Sequence, residues 1–305
     1  MQTTLKGETT LVGMGLHSGR PARLRLRPAS EGGIRFHRVD VTDRDNVIPA
    51  RFDLVSDTRL CTVLSNAAGV SVSTVEHLMA ALAGTGVTHA IVEIDGAEVP
   101  IMDGSSLRFV QAILRAGLRG LGGPQRAIRV LAPVRVVEGD ARAELAPAQT
   151  LSIDFEIDFP DAAIGRQSRA MAMVNGAFVH ELSDCRTFCR RVEVEAMRAS
   201  GLALGGSLDN AVVVEGDRVL NPGGFRRVDE CVRHKMLDAV GDLALAGAPI
   251  LGAYRGVRAG HGLTNRLLRR LFATEGAWEE VVIDAATARR LPGAGLGMAD
   301  LRRAG

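Results

Sequence analysis

Three polar side chains recur at intervals of four residues in the stretch 231–242, namely His234, Asp238 and Asp242. At 3.6 residues per turn, this spacing stacks them along one face of a helix. A histidine one turn before a carboxylate can bind a metal ion from a single rigid element, by the same geometry as the two histidines of an HExxH helix. The alternative is a solvated helix face with an ordinary polar pair.

The lysine beside this histidine is unusual for the composition of the chain. Of the 37 Lys and Arg residues, only Lys6 and Lys235 are lysines. This bias toward arginine is typical of a GC-rich genome. A lysine kept next to a candidate metal ligand therefore indicates a specific use for an ammonium group.

Other polar side chains interrupt apolar elements in the same way. Glu76 and His77 lie near the start of an apolar stretch, and His261 lies between two glycines. Two neutral imidazoles, one carboxylate and a water would make an open tetrahedral zinc site. A second carboxylate could then deprotonate that water, and a further histidine could act as an acid. Ser73 and Glu76 also fit a capping box, so Glu76 has a purely structural alternative.

The elements that must position these residues follow from the periodicity of the chain. Residues 22–27 alternate arginine with leucine or alanine, which is typical of a half-buried strand. The sequence predicts helices over 73–84, 106–117, 190–200, 231–246 and 264–274. It predicts further strands over 88–95, 128–137, 151–159, 211–214, 250–254 and 281–284. The glycine-rich stretch 120–124, closed by a proline, is the best domain boundary.

The composition is that of an ordinary globular protein, with 46% hydrophobic and 24% charged residues. A chain of 305 residues is too long for one small core and predicts about two domains. The net charge of +2 gives no general attraction for polyanions. One Tyr and one Trp provide few stacking surfaces, so no nucleic-acid partner is expected.

Cellular location is predicted from apolar runs and cysteine usage. No apolar run reaches 18 residues, so no transmembrane segment is expected, and the first residues lack the apolar core of a signal peptide. The four cysteines form no CxxC pair and no dense framework, which favours reduced thiols and a cytoplasmic protein. Cys185 and Cys189 lack a second nearby pair that would complete a zinc site.

Several separated motifs then occur in one order along the chain. They are Leu16-His-Ser-Gly19, Arg59-Leu-Cys61, Ser73-Thr-Val-Glu-His-Leu-Met-Ala-Ala-Leu82, Ile101-Met-Asp-Gly-Ser105, Arg186-Thr-Phe188, Val232–Asp242 and Gly260-His-Gly-Leu-Thr-Asn265. Together they resemble the motifs of the UDP-3-O-acyl-N-acetylglucosamine deacetylase family, the zinc amidases of lipid A synthesis in Gram-negative bacteria. The resemblance runs from about Leu5 to Val282, which is nearly the whole chain.

The resemblance implies a metal centre and a base. His77, His234 and Asp238 would bind Zn²⁺, with Fe²⁺ as the alternative in the cell. Glu76 would be the general base that activates the attacking water, which favours catalysis over capping for this residue.

The resemblance also implies an acid and an oxyanion contact. His261 would protonate the leaving amine, and Asp242 would hold and charge its imidazole, although a purely structural carboxylate remains open at this position. Thr187 would stabilise the tetrahedral oxyanion, and Lys235 would contact the substrate.

The remaining implied sites recognise the substrate, UDP-3-O-acyl-GlcNAc. Phe188 and the segment that follows it, within an insert over about residues 183–206, would form an apolar passage for the fatty acyl chain. Arg258 stands where relatives often carry a lysine near the diphosphate. Cys189 replaces a common glycine, and Gly262 and Thr264 replace a common alanine and asparagine, which bears on acyl-chain preference rather than on the reaction.

The fold implied by the resemblance is α+β, with two similar domains. Each domain would be a small, mostly antiparallel sheet packed on two helices, with the helices sandwiched between the sheets. We expect residues 1–122 to form the domain that contributes Glu76 and His77. Residues 123–305 would form the domain that contributes His234, Asp238, His261 and the insert. A monomer is expected.

Two other functions are compatible with the sequence. The first is the same zinc amidase chemistry on a different N-acylated sugar. The second is a non-catalytic protein that binds a sugar nucleotide or an acyl chain and has kept the fold. A binding module without catalytic function should not carry stoichiometric zinc, so metal analysis separates it from both enzymes.

Overall fold

The computed structural model describes residues 1–302, so residues 303–305 of the predicted second domain lie outside the described part. Its α-helices are α1 (Glu76–Gly84), α2 (Leu107–Ala116), α3 (Ala177–Glu181), α4 (Arg191–Ala199), α5 (Glu230–Ala244), α6 (His261–Ala273) and α7 (Ala285–Ala288). Short 3₁₀ helices span Phe52–Leu54 and Met298–Arg302. Within residues 1–302, we find no helix with the length and apolar character needed to cross a membrane.

The strands fall into several sheets. In the first part of the chain they are β1 (Thr3–Leu5), β2 (Thr9–Met14), β3 (Pro21–Pro28), β4 (Ile34–Arg38), β5 (Val47–Pro49), β6 (Val55–Asp57), β7 (Val63–Ser65), β8 (Ser71–Val72), β9 (Ala90–Ile94) and β10 (Leu118–Gly120). In the second part they are β11 (Arg126–Val130), β12 (Val134–Glu138), β13 (Ala141–Pro147), β14 (Ser152–Asp158), β15 (Arg166–Ala172), β16 (Phe188–Arg190), β17 (Val212–Glu215), β18 (Arg218–Val219), β19 (Ile250–Val257) and β20 (Trp278–Val282).

One main sheet belongs to each part of the chain. The first has the strand order β2-β3-β9-β4-β5 and is antiparallel except for the β4–β9 pair. In the second, β19 is central and pairs with β11, β13 and β14, while β12, β15 and β20 lie outside them. The alternation predicted for residues 22–27 is confirmed, because Leu24 and Leu26 of β3 are fully buried while Arg23 and Arg25 face outward.

The longer helices form a layer between the two sheets. Helix α1 packs on α2 and α5, and α2 contacts β2 of the first sheet. Helix α5 packs on α6 and on β14 and β15, while α6 covers β12 and β13 of the second sheet. The predicted α+β fold with sandwiched helices is confirmed. A domain boundary after residue 122 stays a prediction.

Helices α1 and α5 cross at very close range. A Cβ atom added at Gly241 of α5 would lie 2.0 Å from the backbone oxygen of Glu76 and 3.1 Å from its Cα. Only a residue without a side chain permits this approach of two backbones. The crossing places the first turn of α1 directly beside the polar face of α5.

Two helix boundaries differ from the prediction for a local reason. Helix α1 begins at Glu76 rather than at 73, because the Ser73 amide bonds to Ala97 and Thr74 has a φ of 57°. Helix α6 begins at His261 rather than at 264, since the Thr264 amide already donates to the Gly260 carbonyl at 3.1 Å. Both shifts place a polar candidate residue in the first helical turn.

The close crossing generates the first prediction. Gly241→Ala should lower the free energy of unfolding by about 2 kcal/mol or more, because overpacking against backbone outweighs the gain of up to ~1 kcal/mol in helix propensity. Urea unfolding followed by circular dichroism measures this change. Gly223→Ala is the control, since a Cβ there meets nothing within 4 Å. Equal stability of the two variants would contradict the tight crossing.

Candidate active site

The crossing of α1 and α5 gathers three buried side chains that could hold a metal ion. They are His77 from the first turn of α1 and His234 and Asp238 from α5. Asp238 Oδ1 lies 3.5 Å from His77 Nε2 and 3.3 Å from His234 Nε2. The two imidazole rings meet edge to face, with centroids 4.9 Å apart. One candidate ligand atom from each residue lies within 4.8 Å of the others.

These contacts fit a tetrahedral metal site. Ligands about 2.0–2.1 Å from a tetrahedral zinc ion lie roughly 3.3 Å from one another, and the measured separations are close to that value. His234 Nδ1 lies 3.1 Å from the Cys185 carbonyl oxygen, which can only accept, so Nδ1 donates and Nε2 keeps its lone pair. His77 Nδ1 is buried and has no hydrogen-bond partner among the described residues.

Burial and neighbouring charges hold His234 and Asp238 in the protonation states that ligation needs. Burial lowers the pKa of His234 to about 4, so its imidazole is neutral near pH 7. Burial by itself would raise the pKa of Asp238, but His234 and Lys235 outweigh it and hold that pKa well below its usual range. Lys235 Nζ donates to Asp238 Oδ2 at 2.7 Å, and this pair raises the lysine pKa despite burial. The carboxylate is therefore ionised.

Glu76 lies beside this group as a buried carboxyl with few partners. Its side chain is 5% exposed, and its Oε2 accepts the backbone N–H of Thr62 at 3.0 Å. The helix has no side-chain cap at this end, so the capping alternative is wrong. Burial raises the Glu76 pKa, an effect that the nearby His261 and His77 reduce in part. A carboxylate of this kind accepts a proton more readily than an exposed one.

His261 and Asp242 form a tight pair at the opposite side of Glu76. His261 Nδ1 and Asp242 Oδ2 are 2.8 Å apart, and His261 Nε2 lies 3.9 Å from Glu76 Oε1. Burial by itself would lower the pKa of His261, but the Asp242 carboxylate outweighs it and raises the pKa to about 9. This histidine therefore carries a proton on both ring nitrogens near pH 7.

Thr62 is a site residue that the sequence did not reveal. Its hydroxyl donates to Asp242 Oδ1 at 2.7 Å, and its amide donates to Glu76 at 3.0 Å. The side chain is buried, so both bonds are shielded from water. A threonine following Arg59-Leu-Cys61 resembles any strand residue, and no local pattern links position 62 to position 242.

A cavity of about 1080 Å³ opens over these groups. Nine of the ten predicted site residues line it, namely Glu76, His77, Thr187, Phe188, His234, Lys235, Asp238, Arg258 and His261. Asp242 is not among the lining residues and contacts the cavity through His261. Helix α4 of the predicted insert forms one wall, to which the half-buried Val194 and Met197 contribute.

The remaining predicted residues occupy different parts of this cavity. Thr187 is fixed by its backbone, whose amide donates to the Gly104 carbonyl at 2.7 Å. The Phe188 ring meets Phe159 edge to face, with centroids 5.3 Å apart. Arg258 lies at the exposed end, where its guanidinium pairs with Asp158.

Comparison with known proteins agrees with this geometry. Residues 2–273 match the family model described as UDP-3-O-acyl N-acetylglycosamine deacetylase. The UDP-3-O-acyl-N-acetylglucosamine deacetylase of Phenylobacterium zucineum is 54% identical over 278 residues, which cover 91% of this chain and 95% of that protein. Proteins of the same name from Idiomarina loihiensis and Pasteurella multocida are 48% and 46% identical, each covering 93% of both chains.

The donor geometry generates a prediction about metal content. His77→Ala, His234→Ala and Asp238→Ala should each weaken metal binding by more than ~100-fold, because loss of a ligand should exceed the 10–100-fold cost of losing an outer partner. Elemental analysis after dialysis against a weak chelator measures the retained metal. Asp242→Asn is the control and should keep its metal. Full metal content in any of the three alanine variants would show that residue not to be a ligand.

Proposed function

This chain belongs to the UDP-3-O-acyl N-acetylglycosamine deacetylase family, and on that premise we propose that it hydrolyses the acetamide of UDP-3-O-((R)-3-hydroxyacyl)-N-acetylglucosamine. The products are the free amine and acetate, and the reaction is the committed step of lipid A synthesis. The observation that carries the proposal is one cavity that combines three side chains that could hold a metal ion, a buried carboxyl and a charged histidine. A metal-dependent amide hydrolase uses a metal site, a general base and a general acid together.

The metal in this proposal is Zn²⁺, with Fe²⁺ as the alternative in the cell. His77, His234 and Asp238 would hold it, and two imidazoles with one carboxylate are a typical catalytic zinc set. When bound, zinc polarises the amide carbonyl and lowers the pKa of water. The protein contributes a neutral imidazole at His234, which burial imposes, and an ionised carboxylate at Asp238, which His234 and Lys235 stabilise.

Glu76 is the general base in this mechanism. Its raised pKa makes it a stronger base than an exposed glutamate, and its ionised form would accept a proton from the attacking water. Its Oε2 is held by the Thr62 amide, and its Oε1 points toward His261. The carboxylate is therefore held between the candidate metal ligands and the candidate acid.

His261 is the general acid. Its Nδ1 proton is shared with Asp242, so its Nε2 proton is available to the leaving amine. An amine leaves as a neutral molecule only after protonation, and a pKa of about 9 keeps this donor charged at neutral pH. Asp242 acts through the histidine by orienting and charging it.

Thr187 and Lys235 complete the polar end of the cavity. We assign Thr187 to the oxyanion, since its backbone is fixed at the cavity wall. Lys235 has three N–H donors, of which one bonds to Asp238, so the same ammonium can also contact the substrate.

The apolar wall suits the fatty acyl chain. Phe188, Val194 and Met197 line the cavity next to the candidate catalytic groups. We assign this wall to the acyl passage and Arg258 to the diphosphate, since its guanidinium lies at the exposed end of the same cavity. A cytoplasmic location and a monomeric state stay predictions.

Acetate release tests the function and the substrate together. UDP-3-O-acyl-GlcNAc should release acetate, a chelator should abolish the release, and added zinc should restore it. UDP-GlcNAc without the acyl chain should react more than a hundredfold less efficiently, since each buried methylene contributes roughly 0.8 kcal/mol and about four suffice. Equal efficiency with both substrates would favour a general N-acyl sugar amidase, and release that resists the chelator would exclude the metal mechanism.

The role of Glu76 generates a further prediction. Glu76→Gln keeps the size of the side chain and an acceptor for the Thr62 amide, so thermal stability should change little. Loss of the base should reduce kcat by a large part of the ~10²–10⁴-fold that general base catalysis supplies. Steady-state rates and melting curves measured on the same preparation separate the two effects. A variant with normal turnover would remove Glu76 from the mechanism.

The pKa values predict a bell-shaped pH profile. Activity should fall on the acidic side as Glu76 is protonated, and on the basic side near pH 9 as His261 loses its proton. Asp242→Asn removes the charge that raises the His261 pKa, so the basic limb should move toward lower pH. Rates measured from about pH 5 to pH 10, with metal content checked in parallel, test this. If only the acidic limb moves, or if the metal is lost, Asp242 serves the metal ligands instead.

A further inference from the structure

Arg186, the first residue of the Arg186-Thr-Phe188 motif, has no role in the mechanism above. Its guanidinium is buried against Glu230, the first residue of α5, and the side chains are 10% and 0% exposed. Removing two charges from water costs several kcal/mol per ion, so a buried pair is weak evidence for stability alone. The segments that the pair holds in place are therefore a better explanation of its burial than stability is.

Glu230 binds backbone as well as the guanidinium. Its Oε1 accepts the Arg186 amide and Nε, both at 2.9 Å. Its Oε2 accepts Arg186 Nη2 at 3.1 Å and the Arg226 amide at 2.7 Å. Arg186 Nη2 also donates to the Gly224 carbonyl at 2.8 Å. One carboxylate therefore fixes the chain at residue 186 and the loop at 224–226 to the start of α5.

The chain fixed in this way carries two contacts of the active site. One residue before Arg186, the Cys185 carbonyl accepts the His234 Nδ1 proton at 3.1 Å. One residue after it, Thr187 is tied by its amide to the Gly104 carbonyl at 2.7 Å. His234 lies four residues after Glu230 on the same helix, so one helical turn separates the anchor from the imidazole that it serves.

We propose that Glu230 and Arg186 are positioning residues that set the tautomer and orientation of His234 by holding the Cys185 carbonyl against its Nδ1. With Nδ1 protonated, the lone pair of Nε2 faces Asp238 and the metal position. Through the same segment the pair places Thr187 at the cavity wall. The inference rests on the proposed role of His234 as a metal ligand, but its first test needs neither metal nor substrate.

The alternative is a pair that only stabilises the fold. A second buried arginine on the same helix, Arg233, provides a comparison that separates a positioning role from a purely stabilising one. It pairs with Asp229 and Glu181, both at 2.6 Å, and donates to the Glu181 carbonyl at 2.9 Å. Among the described residues, the Asp229 carboxylate bonds to Arg169 and Arg233 and not to residues 185–188, so Asp229→Asn is a matched control for Glu230→Gln one position away.

The first test measures the His234 tautomer in metal-free protein. Nitrogen-15 NMR of labelled histidine, assigned by loss of the signal in His234→Ala, should show His234 in the wild type as the Nδ1-protonated form. Glu230→Gln should give a mixture of tautomers, whereas Asp229→Asn should match the wild type. A single unchanged tautomer in Glu230→Gln, or the same mixture in Asp229→Asn, would overturn the proposal.

The second test measures zinc affinity by competition with a chromogenic chelator. Glu230→Gln should bind zinc about 10–100-fold more weakly, which is the usual cost of losing a partner behind a ligand, and Asp229→Asn should bind within twofold of the wild type. A Glu230→Gln variant with lower melting temperature but normal zinc affinity would show that the pair is only structural.

A double variant keeps the test decisive if the single variant fails to fold. Glu230→Gln leaves Arg186 buried without a counterion, whereas Glu230→Gln/Arg186→Gln removes both charges. The double variant should fold and still show mixed tautomers and weaker zinc binding, and wild-type behaviour in both assays would overturn the proposal. If the wild type releases no acetate but the tautomer responds as expected, the proposed function fails while the positioning role stands.

Discussion

The close crossing of α1 and α5 is the constraint on which the site depends. Without a side chain at Gly241, the backbone of α5 comes within contact of Glu76. The two helices are about 150 residues apart in the chain, yet this contact sets His77 against His234 and Asp238. Because protein interiors are packed as densely as crystals, even one added methyl group at the crossing would push the helices apart and separate these donor atoms. Helix α5 packs on β14 and β15 of the second sheet, and α1 packs on α2, which contacts β2 of the first sheet.

Within the site, the hydrogen-bond and charged partners of each carboxylate distinguish its role. Asp238 accepts from Lys235 and faces two imidazoles, so it stays ionised despite burial. Asp242 accepts from Thr62 and His261, which charges the histidine. Glu76 has the Thr62 amide and lies farther from the positive groups, so desolvation prevails and its pKa rises. The carboxylates of Asp238 and Glu76 thus acquire different proton affinities through their neighbours, which is the way in which one pocket can separate a charged ligand from a base.

The sequence was sufficient to predict those elements and site residues whose arrangement depends on local spacing. The four-residue interval of His234, Asp238 and Asp242 predicted one helix face, and the helices and strands that were predicted lie close to their predicted bounds. The separated motifs, through the family that they resemble, supplied the residues that the helix pair brings together. Thr62 and the pairing of Arg186 with Glu230 were not predicted, because each depends on a contact across 44 to 180 residues that leaves no periodic signal. The predicted start of α1 was wrong by a few residues, because the amide and hydroxyl of Ser73 both bond to the Ala97 carbonyl in the bend after β9 and do not cap the helix.

Helix α4 of the insert is held in place by polar contacts, which leave its apolar side chains free to line the cavity. Helix α4 has no buried residue, and its attachments are polar: Arg190 pairs with Asp161, Arg191 with Glu215, and Arg198 donates to the Gly206 carbonyl. Its apolar side chains Val194 and Met197 face the cavity rather than a packed core. Apolar side chains that line a cavity are typical of ligand sites. If the proposed function is correct, a bound acyl chain would bury the apolar side chains of α4 that the protein itself leaves partly exposed. The same hydrophobic contacts would then bind the lipid and stabilise this wall of the cavity.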